Sequence, residues 1–217
     1  MTDFAHARKT MVDNQLRTSG ITDHRLLAAM GEVPREAFVP GPRHSLAYID
    51  EDQPLSAHRK LGAAAPFAKL VQLAAIEHTD RVLDVGCGSG YSAAVLARLA
   101  AEVVAVDDDA SLLARARTAL SAAGATNVTF VEGPVATAGS ASGPYDVIVV
   151  EGALEAVPEA LLDQLKLDGR LVVSLAPKGH PAVAHLFVRS SSGIASSPAF
   201  DARLPPLARP ADNAFVF

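Results

Sequence analysis

DVGCGSGY, Asp84 to Tyr91, is the stretch on which the fold turns. It begins inside a short apolar run, RVLDV (81–85), and leads into an Ala- and Leu-rich helical stretch at 91–99. Gly86, Gly88 and Gly90 permit a tight turn and let a ligand approach bare backbone. A glycine-rich βα turn with no ligand is the plainer alternative, although such a turn needs only one or two glycines. A dinucleotide site has the spacing G-x-G-x-x-G, with pyrophosphate at the helix N-terminus. This turn is G-x-G-x-G, with Cys87 and Ser89 between the glycines and Asp84 two places before the first. A carboxylate there repels pyrophosphate and favours a ligand bearing an ammonium and a sulfonium.

Working outward, further apolar runs recur at EVVAV (102–106), NVTFV (127–131), YDVIVV (145–150) and GRLVVSL (169–175). Helical segments at 110–123 and 158–165 lie between them, and another covers 66–76 just upstream. Short continuous apolar strands separated by amphipathic helices predict a parallel sheet covered on both faces. AVAHLFVR (182–189) and NAFVF (213–217) are expected as antiparallel edge strands, and SSSGIASSP as a Ser-rich hairpin tip or loop. Before residue 60 the pattern is helical but broken, with Met11, Leu16, Leu26, Leu27 and Met30 as core positions. Gly20 and Gly31 are read as helix ends, Thr22 as an N-cap, and Pro34 to Phe38 as a third short helix closed by PGP at 40–42. The expected organisation is an N-terminal helical segment and substrate-side loop (1–65) joined in one compact unit to a Rossmann-like domain with C-terminal antiparallel strands (66–217).

Asp107 directly follows the second apolar run, 21 positions after Gly86. An acidic side chain at that strand end accepts hydrogen bonds from both hydroxyls of a ribose. Asp108 and Asp109 cap the next helix or share that role, and the whole triplet also reads as a solvated capping turn. The glycine turn and the acidic strand end together point to S-adenosyl-L-methionine as the cofactor.

Composition excludes other classes. Hydrophobic residues make up 49% of the 217 and charged residues 20%, an ordinary globular balance. Net charge is −5 with scattered basic residues, which argues against nucleic acid as a partner. No apolar run approaches the roughly 18 residues of a membrane span, and the first residues lack an apolar signal core. The single Cys87 excludes an internal disulfide and a multi-thiolate metal site, so a cytoplasmic setting is expected. Cys87 reads as a small residue lining the turn, although a helix N-terminus also favours a thiolate. His180 and His185 lie five apart without a carboxylate or thiol in pattern, and no metal is assigned.

Over nearly its full length the chain resembles the protein-L-isoaspartate O-methyltransferase family. The likeness is carried by MVDNQLRTSGITDHRLLAAMGEVPREAFVP, AYIDEDQPL, DVGCGSGYSAAVLARLA, YDVIVVEGALEAVPEALLDQLKLDGRLVV and ARLPPL. It implies an α/β, Rossmann-like class I S-adenosylmethionine-dependent methyltransferase fold with a mostly parallel seven-stranded sheet. It also implies methyl transfer to the free carboxylate of isoaspartyl residues in damaged proteins, a repair reaction with a peptide or protein acceptor. By the same likeness the cofactor meets Asp84, Gly86, Cys87, Gly88, Ser89, Gly90, Asp107, Asp108, Gly133, Pro134, Val135 and Glu151.

Three departures from the family pattern bear on the acceptor. After "PL" the family usually runs P-I-G-H-G-Q-T-I-S-Q-P, whereas this chain runs SAHRKLGAAAP (56–66). The family's threonine falls on Gly62, its active-site serine on Ala64 and its second glutamine on Ala65. The aspartate that receives the adenine amino group falls on Pro134, which has neither N–H nor acceptor side chain. The small hydroxyl residue ending the fourth strand falls on Glu151, a carboxylate that faces the donor or else a solvated strand end. His58, Arg59 and Glu151 are the remaining polar candidates for catalysis, with His58 equally readable as surface. The departures predict weak methylation of isoaspartyl peptides with cofactor binding intact. They leave open a different acceptor, or a binding protein that has lost catalysis.

Overall fold

The computed structural model describes residues 3–207, and the expected strand NAFVF lies outside the described residues. Two short strands, β1 (Gln53–Pro54) and β2 (Lys60–Leu61), pair antiparallel as a ribbon. The main sheet follows with β3 (Arg81–Val85), β4 (Glu102–Asp107), β5 (Val128–Glu132), β6 (Tyr145–Leu154), β7 (Leu165–Leu175), β8 (Val183–Ser190) and β9 (Gly193–Asp201). Its order is β5-β4-β3-β6-β7-β8-β9. β3 through β7 run parallel, and β8 and β9 return antiparallel at one edge.

Every apolar run expected as a parallel strand is one, because burial on both faces leaves no room for polar alternation. Val82, Val103 and Val147 pack on one face; Leu83, Val104 and Ile148 pack on the other. The Ser-rich tip is corrected. Residues 193–201 form β9, an exposed edge strand held by its ladder to β8 rather than by buried side chains. Polar, solvated edges of this kind carry no hydrophobic period to read.

The helices are α1 (Phe4–Met11), α2 (His24–Glu32), α3 (Ala64–Ala74), α4 (Tyr91–Leu96), α5 (Ala110–Ala122) and α6 (Glu159–Leu162). After α1 the chain loosens into a π-helical stretch, Val12–Leu16, and a short turn that Gly20 ends at φ 87°. Asp23, not Thr22, caps α2, its Oδ1 accepting from Arg25 N at 2.8 Å. Gly31 lies inside α2, so the helix runs past the expected stop. Pro34 precedes a single turn, Arg35–Phe38, and Gly41–Leu46 forms another where PGP was read as the close.

These N-terminal turns share a core with the sheet. Leu16, Leu26, Met30 and Phe38 pack in one cluster with Phe67, Tyr91 and Val149. Phe38 meets the Tyr91 ring edge-on at 5.7 Å, a favoured aromatic geometry. Ser89 Oγ donates to Phe38 O at 2.6 Å, so the glycine turn is tied to the N-terminal segment directly.

Candidate active site

The chain steps from β3 to β4 to β5 on one side, then starts again with β6 on the other side of β3. At such a reversal the two crossovers diverge, leaving a crevice beyond the carboxyl ends of the strands. Asp84, the glycine turn, Asp107, Gly133 and Glu151 all stand at that edge.

Gly86, Gly88 and Gly90 have φ values of 81°, 53° and 89°, which L side chains rarely adopt. Their free faces look different ways. A Cβ at Gly90 would lie 2.8 Å from the Ala116 Cβ, so this glycine lets α4 and α5 approach closely. One at Gly88 would meet the Leu55 side chain at 3.0 Å, and one at Gly86 would strike Leu207. Ser89 spends its hydroxyl on Phe38, away from the crevice. Cys87 is buried; its thiol is pushed up by desolvation and by Asp84, Asp107 and Glu151, so it is no thiolate nucleophile.

Asp107 is buried, its Oδ2 accepting from Gly88 N at 2.9 Å and its Oδ1 from Asp109 N at 2.9 Å. Desolvation pushes its pKa up, with Arg59 and the two backbone donors pulling down. A carboxylate has about four acceptor positions, so capacity for hydroxyl donors remains. Asp108 is exposed, and Asp109 caps α5 through Ser111 N and Leu112 N. The triplet therefore divides its work, with Asp107 alone turned wholly inward.

The segment expected to hold the acceptor is placed differently from its reading. Arg59 is only 6% exposed, and its guanidinium lies 2.7 Å from Asp108 Oδ1 and 3.4 Å from Asp107 Oδ1. It also donates to the Leu207 carbonyl, which joins the β1–β2 ribbon to the C-terminal stretch. Arg59 thus belongs to the ribose side. His58 is exposed and not drawn in. Ala64 and Ala65 are buried in the first turn of α3, with Ala63 just before it. An open cleft of about 330 Å³ lies beside them, lined by Asp50, Ala63, Ala65, Lys69, Phe200 and Arg203 among others.

Gly133 follows β5, and its N–H donates to Asp107 O at 3.1 Å. Pro134 is exposed and Val135 half-buried, beside a cavity of about 240 Å³ reaching Val106 and Thr137. No side chain takes the place of an adenine-reading acid at Pro134.

Glu151 is half-buried, but its Oε1 is shut from solvent and has no hydrogen-bond partner. Asp84 is fully buried; Ser92 Oγ donates to its Oδ2 at 2.7 Å, and its Oδ1 has no partner. Asp84 pairs with Val149 across the sheet, so Glu151, two residues on, presents the same face. Burial pushes Asp84 up to about 7 despite the Ser92 hydrogen bond, with Asp107 adding to the rise. Burial also pushes Glu151 well above the usual carboxylate range, and Asp84 adds to it. A Glu151 that keeps its proton does not repel an anionic acceptor, which amends the reading from sequence.

Arg35 went unnoticed in the sequence, where PREAF reads as a solvated turn. It is 1% exposed, donates to Ala47 O at 2.8 Å and Gly62 O at 2.6 Å, and lies 4.8 Å from the Tyr91 ring centre. It fixes the start of the acceptor-side segment. Among the described residues no cluster of His, Cys, Asp or Glu is arranged to hold a metal, and no helix is long and apolar enough to cross a membrane.

The family model for protein-L-isoaspartate(D-aspartate) O-methyltransferase matches residues 6–200. The chain belongs to the protein-L-isoaspartate O-methyltransferase family. A relative of that name from Methanoregula boonei is 41% identical over 186 residues, covering 86% of this chain and 84% of its own. Another from Koribacter versatilis is 39% identical over 188 residues, covering 87% and 83%. A solved structure of a protein-L-isoaspartate O-methyltransferase superposes with a TM-score of 0.79 at 26% identity, over 93% of this chain and 66% of that longer one. The fold is that of the class I methyltransferases, as expected from the sequence.

Proposed function

We propose that this protein is an S-adenosylmethionine-dependent methyltransferase that esterifies the carboxyl group of isoaspartyl residues in damaged proteins, in the cytoplasm. The observation that carries the reading is Asp107, held inward at the end of β4 by Gly88 N and Asp109 N beside the glycine turn. That carboxylate suits a ribose diol. The two orphaned oxygens of Asp84 and Glu151 suit the cationic end of the same cofactor. When bound, the cofactor supplies a methyl carbon activated by its sulfonium.

A carboxylate acceptor needs no general base, so alignment and exclusion of water are the main tasks left to the protein. Leu55 and Leu207, both buried over the glycine turn, exclude water there. Arg59 ties the ribbon carrying Leu55 to the stretch carrying Leu207 and neutralises Asp108. Residues 1–65 serve as the acceptor-side cover and 66–217 as the methyltransferase domain, working as one unit through their shared core. The cleft beside Ala63 and Ala65 is the approach for a peptide, with Lys69 and Arg203 offering positive charge to its carboxylate.

The buried Ala64 and Ala65 favour a second reading, in which the acceptor is another group that needs no hydroxyl donors. Calorimetry with S-adenosylmethionine, followed by labelled methyl transfer to paired isoaspartyl and aspartyl peptides, separates the possibilities. Transfer to the isoaspartyl peptide alone supports the first reading. Binding without transfer to either favours the second or a non-catalytic binder.

A further inference from the structure

Two carboxyl groups at the crevice are left incompletely satisfied by the protein itself. Asp84 Oδ1 and Glu151 Oε1 are buried without partners, on the same face of adjacent strands, one on each side of the β3–β6 ladder. Buried polar atoms are nearly always paired, so two such oxygens together call for an occupant. Arg35 does not supply it, since its donors go to Ala47 and Gly62 and its remaining nitrogen, Nη1, is itself unpartnered. Ser92 reaches only the other oxygen of Asp84.

We propose that Asp84 and Glu151 act together as a carboxyl pair that reads the positive charge of the methyl donor, so that the site holds the sulfonium form in preference to its neutral-sulfur, demethylated product. This rests on the methyltransferase reading above and adds a cofactor preference that the reading alone does not require. A proton and a cation are two ways to satisfy the same oxygens, so they compete. In the protein alone, burial keeps the pair protonated further up the pH scale, with Asp84 at about 7. The ionisable groups around the pair are Arg35 from the N-terminal turns, Tyr91 on α4, Cys87 in the glycine turn and Asp107 on β4. Of these only Arg35 is cationic, and it favours ionisation without hydrogen-bonding the pair. Entry of a sulfonium then expels a proton, and the preference for the charged ligand rises as pH rises through the titration of the pair.

The test is calorimetry on the purified full chain, with S-adenosylmethionine and S-adenosylhomocysteine titrated in phosphate and in Tris, whose ionisation heats differ. Both ligands carry an amine that titrates on its own, so the readout is the difference between wild type and Glu151→Gln at one pH. Wild type is expected to release more protons with S-adenosylmethionine than Glu151→Gln does. Its preference for the sulfonium ligand should be at least about fivefold greater at pH 8 than at pH 6, and Glu151→Gln should flatten that change. If Glu151→Gln does not fold by thermal unfolding, Glu151→Thr takes its place. Proton release identical in wild type and variant, or a preference that keeps its full pH dependence without Glu151, overturns the proposal while leaving the parent reading standing. Failure of wild type to bind either ligand overturns both.

Discussion

The cofactor edge and the acceptor edge of this molecule lie a few residues apart in space, yet they were built under different rules. From β3 to β5 the site is positioned by strands that must be apolar, by glycines that must turn and by one acid at a strand end. From Ser56 to Pro66 it is positioned by a ribbon two residues long and by single side chains reaching across the fold. The first kind of construction tolerates few substitutions before the sheet fails. The second can exchange threonine, serine and glutamine for Gly62, Ala64 and Ala65 and still fold, because the alanines pack as α3 begins. Catalytic identity in this fold is therefore far easier to change than cofactor geometry.

The largest effect expected on the cofactor edge is from Asp107→Ala. Hydrogen bonds to a charged group contribute about 1.5–3 kcal/mol each. Losing two should weaken S-adenosylmethionine binding on the order of 100-fold by calorimetry. An unchanged affinity would show that the ribose is read elsewhere.

Next comes Gly90→Ala, which puts a side chain at φ 89° and 2.8 Å from the Ala116 Cβ. Left-handed strain costs about 1–2 kcal/mol and overpacking about 1–3. Chemical denaturation should show a loss of about 2–4 kcal/mol, whereas Gly133→Ala, with its nearest neighbour at 4.0 Å, should lose far less. Equal losses would mean that the glycine turn is not packed against α5 as described.

The buried carboxyl pair sets a third test. The folded-state pKa values of Asp84 and Glu151 are raised above unfolded ones. Their contribution is thus fully present below about pH 4 and is lost as pH rises through about 7. Asp109 and Asp146 are lowered and act oppositely, losing their stabilisation as the solution is acidified below the ordinary carboxylate range. Melting temperature should therefore decline between pH 5 and pH 8, and Glu151→Gln should be stabilised relative to wild type at pH 8 more than at pH 5. A melting temperature that rises over that interval and an indifferent variant would contradict the assignment.

The smallest effect is expected from Arg59→Ala. It removes a guanidinium competing for Asp107 but also loosens the cover over Leu207. Stopped-flow binding should show association and dissociation of S-adenosylmethionine both accelerating by a few fold. Slower association would mean that Arg59 recruits the cofactor rather than covering its site.

These contrasts follow what could be seen in the sequence. EVVAV and YDVIVV declared themselves as strands because a doubly covered sheet demands apolar side chains on both faces. GIASSPAFD did not, since β9 is held by backbone pairing at an exposed edge. Asp107 was legible because its place after an apolar run fixes its place at the sheet edge. The burial of Arg59 and Arg35, and the approach of Leu207 to Gly86, depend on contacts between residues as many as 148 positions apart. No local period encodes such contacts, and a lone arginine in a polar loop looks the same whether solvated or enclosed. Glu151 was located correctly at its strand end, but its protonation depends on burial beside Asp84, which spacing alone does not reveal.

The most direct measurement of the central claim is the initial rate of labelled methyl transfer from S-adenosylmethionine to an isoaspartyl peptide, against the same peptide with ordinary aspartate, for wild type and Ala64→Ser. One missing donor at an anionic site typically costs about 2.7–4 kcal/mol, or 10²–10³ in rate. The account predicts slow transfer to the isoaspartyl peptide alone, raised by the restored hydroxyl of Ala64→Ser. No transfer to the isoaspartyl peptide from either protein, with the cofactor demonstrably bound, would contradict it.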